Sequence, residues 1–186
     1  MKISISHNNK IYTVNPKKGI DISISVKFND NQNPKFYDES YPKKEYYSYN
    51  NIEYSIGKGA GCNVPLIYMN IHCSGTHTET ANHIFKNGPC ISEIKNINYI
   101  PSKLISIEPE FSSNENYHVD LKKNDKIITK EQIKSKVHHI DDFTIDALII
   151  RTLPNIKGKI TKNYNDNHHA FLSNDAIKYI KEIGVK

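Results

Sequence analysis

The chain has 186 residues, a length that suits one domain, taken as residues 1–186, and that can bury a real core. A net charge of +5 raises nucleic acid as a partner. The lysines, however, fall singly or in pairs among acidic residues, without a basic stripe or interleaved aromatics, so a solvated surface is expected instead. Mean hydropathy is −0.62, and no stretch approaches the roughly 20 apolar residues that span a bilayer, which argues against a membrane protein.

The N-terminal MKISISHNNKIYTV alternates like a strand and lacks the apolar core of a signal peptide, so a cytoplasmic location is expected. KISIS and IYTV flank the turn signal HNNK and predict a hairpin. DISISVKF, from Asp21 to Phe28, alternates again and reads as a strand. The polar, aromatic NDNQNPKFYDESYPKKEYYSYNN that follows reads as a long loop or lid, whose tyrosines either line a pocket or pack on the surface. IGKGAGCN, from Ile56 to Asn63, is glycine-rich but lacks the GK[ST] ending of a phosphate-binding loop, so its glycines are assigned to a tight turn. VPLIYMNIH is an extended run leading into His72.

Beyond residue 84, KLISIEPEF and TIDALIIRT are apolar runs of buried-strand length. TKEQIKSKV between them predicts a short helix, with Thr129 as N-cap and Gln132 at the capping-box position. SNDAIKYIKEIG predicts a second helix. Ser173 caps it, Ala176, Ile177 and Ile180 form one face, and Gly184 sits near its C-cap. Strands and helices are mixed, so the fold class is α/β. The cysteines, Cys62, Cys73 and Cys90, are odd in number and form no CxxC pair, which argues against a disulfide scaffold.

The stretch that carries chemistry is HCSGTHTETANHI, from His72 to Ile84. His72, His77, Glu79 and His83 are too irregularly spaced for one face of a helix. In an extended segment, residues two apart point the same way, so His77 and Glu79 can converge while His72 and His83 fold in from either side. Imidazole with carboxylate is a ligand set for zinc, manganese or iron. The other reading is a polar loop that happens to hold histidines, since His138, His139, His168 and His169 show how freely this chain uses them. Cys73 is either a thiolate ligand or, more in keeping with its type, a small space-filler.

HCSGTHTETANHI resembles the H-x-G-T-H-x-D-x-P-x-H signature of the metal-dependent cyclase family, which includes bacterial kynurenine formamidase (arylformamidase). One extra residue separates His72 from Gly75, Glu79 replaces aspartate and Ala81 replaces proline. The resemblance extends to DISISVKF, GKGAGCN, DALIIRTLPN and LSNDAIKYIKEIGVK in the same order, and so covers most of the chain. It implies a swivelling β/β/α-type cyclase fold, with a mixed sheet and few helices. It implies His72, His77 and Glu79 as metal ligands, zinc first and manganese second, and His83 either as a ligand or as the group that moves a proton. Thr76 is a further catalytic candidate that would orient the loop, or else a plain turn residue. The implied chemistry is hydrolysis of an amide, formamide or lactone bond in a small molecule by metal-activated water, in a homodimer or larger assembly. His168 and His169 are expected on the surface.

In that family the last helix is followed by a further strand, a late histidine and a late glutamate that help complete the metal centre. Here the sequence ends at KEIGVK, so a C-terminally shortened domain is expected. A second function therefore stands beside the first: a catalytically inactive cyclase-like protein that binds a ligand or a partner.

Overall fold

The computed structural model describes residues 2–94, 99–111, 114–137, 146–165 and 169–185. In chain order the strands are β1 (Ile3–His7), β2 (Lys10–Val14), β3 (Lys43–Tyr46), β4 (Ser48–Tyr49), β5 (Ile52–Glu53) and β6 (Pro65–Tyr68). They continue as β7 (Ser102–Ile107), β8 (Glu110–Phe111), β9 (Lys126–Ile128), β10 (Ala147–Thr152) and β11 (Ala170–Leu172). The α-helices are α1 (Lys130–Val137) and α2 (Asn174–Glu182). The content is mixed α/β with few helices, as expected. Among the described residues, no helix is long and apolar enough to cross a membrane.

The chain forms two compact units. The first unit combines Met1–Ile20, Ile94–Asn155 and His168–Lys186. It opens with the expected hairpin, β1 against β2, with His7 opposite Lys10. Asn8 and Asn9 sit at φ 46° and 60°, the left-handed pair that a two-residue turn of matching twist requires. β7 and β10 pair in parallel, from Ala147 opposite Ser102 to Thr152 opposite Ile107. β9 is the centre of a mixed three-stranded sheet, parallel to β11 and antiparallel to β8. The core lies where Ile105, Ile107, Ile128, Ile133, Val137 and Ala176 meet.

Both helices start as their sequences dictate. Thr129 Oγ1 accepts from the Gln132 amide at 3.3 Å while Gln132 Oε1 accepts from the Thr129 amide at 3.1 Å, a reciprocal box. Ser173 Oγ accepts from the Ala176 amide at 2.9 Å and donates to Glu115 Oε2 at 2.5 Å. The buried face of α2 differs from the expectation. Ala176, Tyr179, Ile180 and Ile183 pack on the core, whereas Ile177 is 51% exposed. The 3.6-residue period carries Ile177 about 100° away from Ala176, off the stripe that the other four define.

The second unit comprises Asp21–Glu93 and Ile156–Asn167. β3 pairs antiparallel with β6, and β4 with β5. Asn50 and Asn51, at φ 48° and 62°, form the β4–β5 turn. The segment read as one long loop therefore contains strands, and its Asn-Asn turn repeats the chemistry of Asn8-Asn9. Gly59, at φ 88°, caps a 3-10 turn over Ile56–Lys58, which is the tight turn expected of the glycine-rich stretch.

Asp21–Phe28 is not a strand. Its amides bond to side chains instead of a ladder. Ser23 N–H donates to Asp21 Oδ1 at 2.8 Å, Ile24 N–H to Thr76 Oγ1 at 2.9 Å, and Lys27 N–H to Asn33 Oδ1 at 2.8 Å. The side-chain and backbone hydrogen bonds of Ser23 hold the Asp21 carboxyl below its ordinary value. Asn33, 1% exposed, also donates to the carbonyls of Lys27 and Asp30 at 2.7 and 2.8 Å, so its amide closes this turn completely.

Candidate metal centre

The stretch after β6 makes tight turns rather than a strand, because its side chains compete for its own backbone. Asn70 Oδ1 accepts from His72 N–H at 3.1 Å, and the Asn70 carbonyl accepts from Cys73 N–H at 3.2 Å. Ser74 is buried, which anchors the middle of the motif. A 3-10 turn over Ala81–His83 then carries the last histidine back. Two contacts brace that turn from the following loop. Thr80 Oγ1 donates to the Pro89 carbonyl at 2.5 Å, and the backbone of Gly88 lies so close to Ala81 and Asn82 that a Cβ there would stand 2.7 Å from Asn82 Cα.

The result is convergence on one atom. Glu79 Oε2 lies 3.3 Å from His72 Nδ1, 3.7 Å from His77 Nε2 and 3.9 Å from His83 Nε2. His83 stacks on His72 with ring centroids 4.2 Å apart, and His77 meets His72 edge-on at 5.1 Å. His77 Nδ1 lies 2.9 Å from the Gly75 carbonyl. A carbonyl only accepts, so Nδ1 donates to it and Nε2 is the ring nitrogen turned towards Glu79. That is the outer hydrogen bond which orients a metal-ligating histidine.

The donor set fits a divalent cation. One atom each from His72, His77 and Glu79 lies within 4.8 Å of the other two. Two ligands about 2.0–2.1 Å from a tetrahedral zinc stand about 3.3 Å apart, close to the separations here. Longer than ordinary hydrogen bonds, these separations leave room for an ion between the atoms. A stabilising role explains the cluster poorly. His77 has 28% and Glu79 51% of its side chain exposed, and ion pairs at that exposure contribute about 0–1 kcal/mol. The same exposure lets water and a small molecule reach the site.

The other sequence candidates fall as follows. Thr76 Oγ1 is engaged by the Ile24 amide and so ties the motif to the preceding segment. Cys73 is outside the three-residue ligand group and half-buried in a pocket wall. His138, His139 and His168 lie outside the described residues, and His169 is half-buried just ahead of β11.

Sequence reasoning missed that pocket. It measures about 200 Å³ and is lined by Ile24, Pro34, Phe36, His72, Cys73 and Tyr164, among others. No motif marks Ile24, Phe36 or Tyr164, which meet only through folding. Phe36 N–H donates to the Cys73 carbonyl at 3.2 Å, and Tyr164 N–H to the Lys35 carbonyl at 2.8 Å. The aromatic segment supplies both surface and pocket, since Tyr37 is 64% exposed while Phe36 and Tyr41 line cavities.

Compared with known families, the chain matches the model described as "Putative cyclase" over residues 20–186. No curated protein and no solved structure matches it.

Proposed function

We propose, for a chain that belongs to the cyclase family, metal-dependent hydrolysis of an amide, formamide or lactone bond in a small molecule, an arylformamidase-like activity. The observation that carries this reading is the convergence of His72, His77 and Glu79 around one carboxylate oxygen, with the His77 ring oriented by Gly75. His72 Nδ1, His77 Nε2 and Glu79 Oε2 would hold the ion, zinc first and manganese second. When bound, a divalent cation supplies Lewis acidity and makes water nucleophilic near neutral pH.

The remaining work falls to the chain's own groups. Glu79 keeps a negative charge between the rings, which favours the cation's residence. His83 Nε2, 3.9 Å from Glu79 Oε2 and outside the three-residue group, would take a proton from the attacking water and return it to the leaving nitrogen or oxygen. Thr76, by accepting from Ile24, holds the loop between His72 and His77 against the segment that forms the pocket. The same family reading carries a cytoplasmic enzyme that works as a homodimer or larger assembly.

The test is elemental analysis of protein purified without added metal, wild type beside His77→Ala, followed by aryl formamide hydrolysis. About one or more divalent ions per wild-type chain, lost with His77, and turnover lost in parallel are expected. Wild-type protein that holds no zinc or manganese after both are supplied overturns the reading.

A further inference from the structure

Thr80 enters the 3-10 turn Ala81–His83 from extended backbone, at the position where a threonine side chain ordinarily caps. Its hydroxyl does not cap. The His83 amide is taken by the Thr80 carbonyl at 3.0 Å, and Thr80 Oγ1 donates instead to the Pro89 carbonyl, nine residues on, at 2.5 Å. Asn82 makes a similar choice. Its Nδ2 donates to Cys90 Sγ at 3.7 Å, and Glu93 Oε2 holds the Cys90 amide at 2.6 Å. The Gly88 backbone bears on Ala81 and Asn82. Consecutive loop residues Gly88, Pro89 and Cys90 therefore grip a single turn.

That grip acts on one group above all. The backbone around His72 and the ring of His77 are fixed upstream, by Asn70 and by the Gly75 carbonyl. His83 is the member of the cluster that the turn itself carries. Its Nε2 lies 3.9 Å from Glu79 Oε2, and its ring stacks on His72. A lone 3-10 turn has poor hydrogen-bond geometry and does not by itself fix a side chain that is 45% exposed. The loop supplies what the turn lacks, and the bond from Thr80 is its hydroxyl-to-carbonyl contact.

Resting on the hydrolase reading, we infer that Thr80 is a positioning residue for proton transfer. Through Pro89 it holds the His83 ring on His72, so that Nε2 meets the attacking water and the leaving atom in one geometry. It acts on His83 and on neither the metal nor the substrate. A donor at this position is what matters, so serine serves and valine does not.

The test compares Thr80→Val, which keeps the shape and removes the donor, with Thr80→Ser, which keeps the donor. Each is made in the wild-type and the His83→Ala backgrounds. Elemental analysis reads metal content, aryl formamide hydrolysis reads turnover, and the imidazole resonances of His83 read its ring. Thr80→Val should keep its metal and the wild-type KM while kcat falls roughly ten- to a hundredfold, the cost of misplacing a group by about 1 Å. Thr80→Ser should recover most of that loss. In the His83→Ala background, valine should change kcat by less than about twofold, because two residues that act as one do not add. Asn82→Ala, which releases the Cys90 contact alone, is a milder second variant and should lower kcat in the same direction. Metal lost with Thr80→Val, an equal fall in both backgrounds, or unchanged kcat overturns the inference. Wild-type protein that holds metal but hydrolyses no aryl formamide sinks the hydrolase reading instead. The His83 resonances then decide: shifted by valine and restored by serine, they keep Thr80 as the residue that sets the ring, and unshifted they remove it.

Discussion

Replacing Gly88 by alanine probes how His83 is held. The added Cβ would stand 2.5 Å from the Ala81 carbonyl carbon and 2.7 Å from Asn82 Cα, where ordinary contact begins at 3.4 Å. Backbone cannot rotate away as a flexible side chain does, so the Ala81–His83 turn and the Gly88 strand of the loop must part by about 1 Å. Overpacking of this kind costs about 1–3 kcal/mol. For a chain of this length each kcal/mol lowers the melting temperature by about 2–4 °C, so a fall of roughly 2–12 °C is expected. The displacement should also break the stack of His83 on His72, now 4.2 Å between centroids. His72, His77 and Glu79 precede the turn, so metal content should stay at the wild-type level. Thermal melts, elemental analysis and the imidazole resonances of His83 read these three effects separately. A Gly88→Ala protein with wild-type melting and unchanged His83 resonances would refute the reasoning, because the loop would then have absorbed the methyl without moving the turn.

Ser173→Ala removes both the α2 cap and the bond to Glu115, and should cost about 1–2 kcal/mol in denaturant unfolding. Ile133→Ala empties a fully buried position in the first unit's core and should cost about 2–5 kcal/mol by the same measurement. Asn33→Ala leaves the Lys27 amide and carbonyl without their buried partner, so about 1–3 kcal/mol is lost and amide exchange at Lys27 accelerates; unchanged exchange would remove Asn33 from its role. The Asp21 carboxyl should titrate below the ordinary aspartate midpoint in an NMR pH series, and Ser23→Ala should move it upward. Because the folded value is the lower one, the small stability that this carboxylate lends is present at neutral pH and disappears on acidification.

How far the sequence can be read depends on whether the deciding partner is local. Asn8-Asn9, Thr129 with Gln132, and Ser173 all act within three residues of themselves, so hairpin and helix starts are visible in the letters. Asp21–Phe28 shows the opposite case. Alternation states that a segment suits a sheet, but here the amides are claimed by Asp21, Asn33 and Thr76, the last of them 52 residues away. The β4–β5 turn was legible in principle, since Asn50-Asn51 repeats the earlier pair, but its two-residue strands are too short for alternation to register. At the site, residue types and spacing named Glu79 and the three histidines that gather at it. The pocket beside them was invisible, because Phe36 reaches Cys73 through a bond across 37 positions that no local pattern encodes.

The parallel pairing of β7 with β10 and the packing of Ala176 on Ile133 and Val137 set an order of events during synthesis. β7, β9 and α1 leave the ribosome with their apolar faces ready, yet the residues that cover them are translated tens of positions later. Until α2 emerges, Ile105, Ile128, Ile133 and Val137 have no lid of their own. Pairings so distant in sequence also form slowly, because loop closure comes before any contact rewards it. The nascent first unit therefore exposes apolar surface that the finished one buries. Synonymous or temperature changes that slow translation between Val137 and Ala176 should lower soluble yield without altering the stability of the protein that survives.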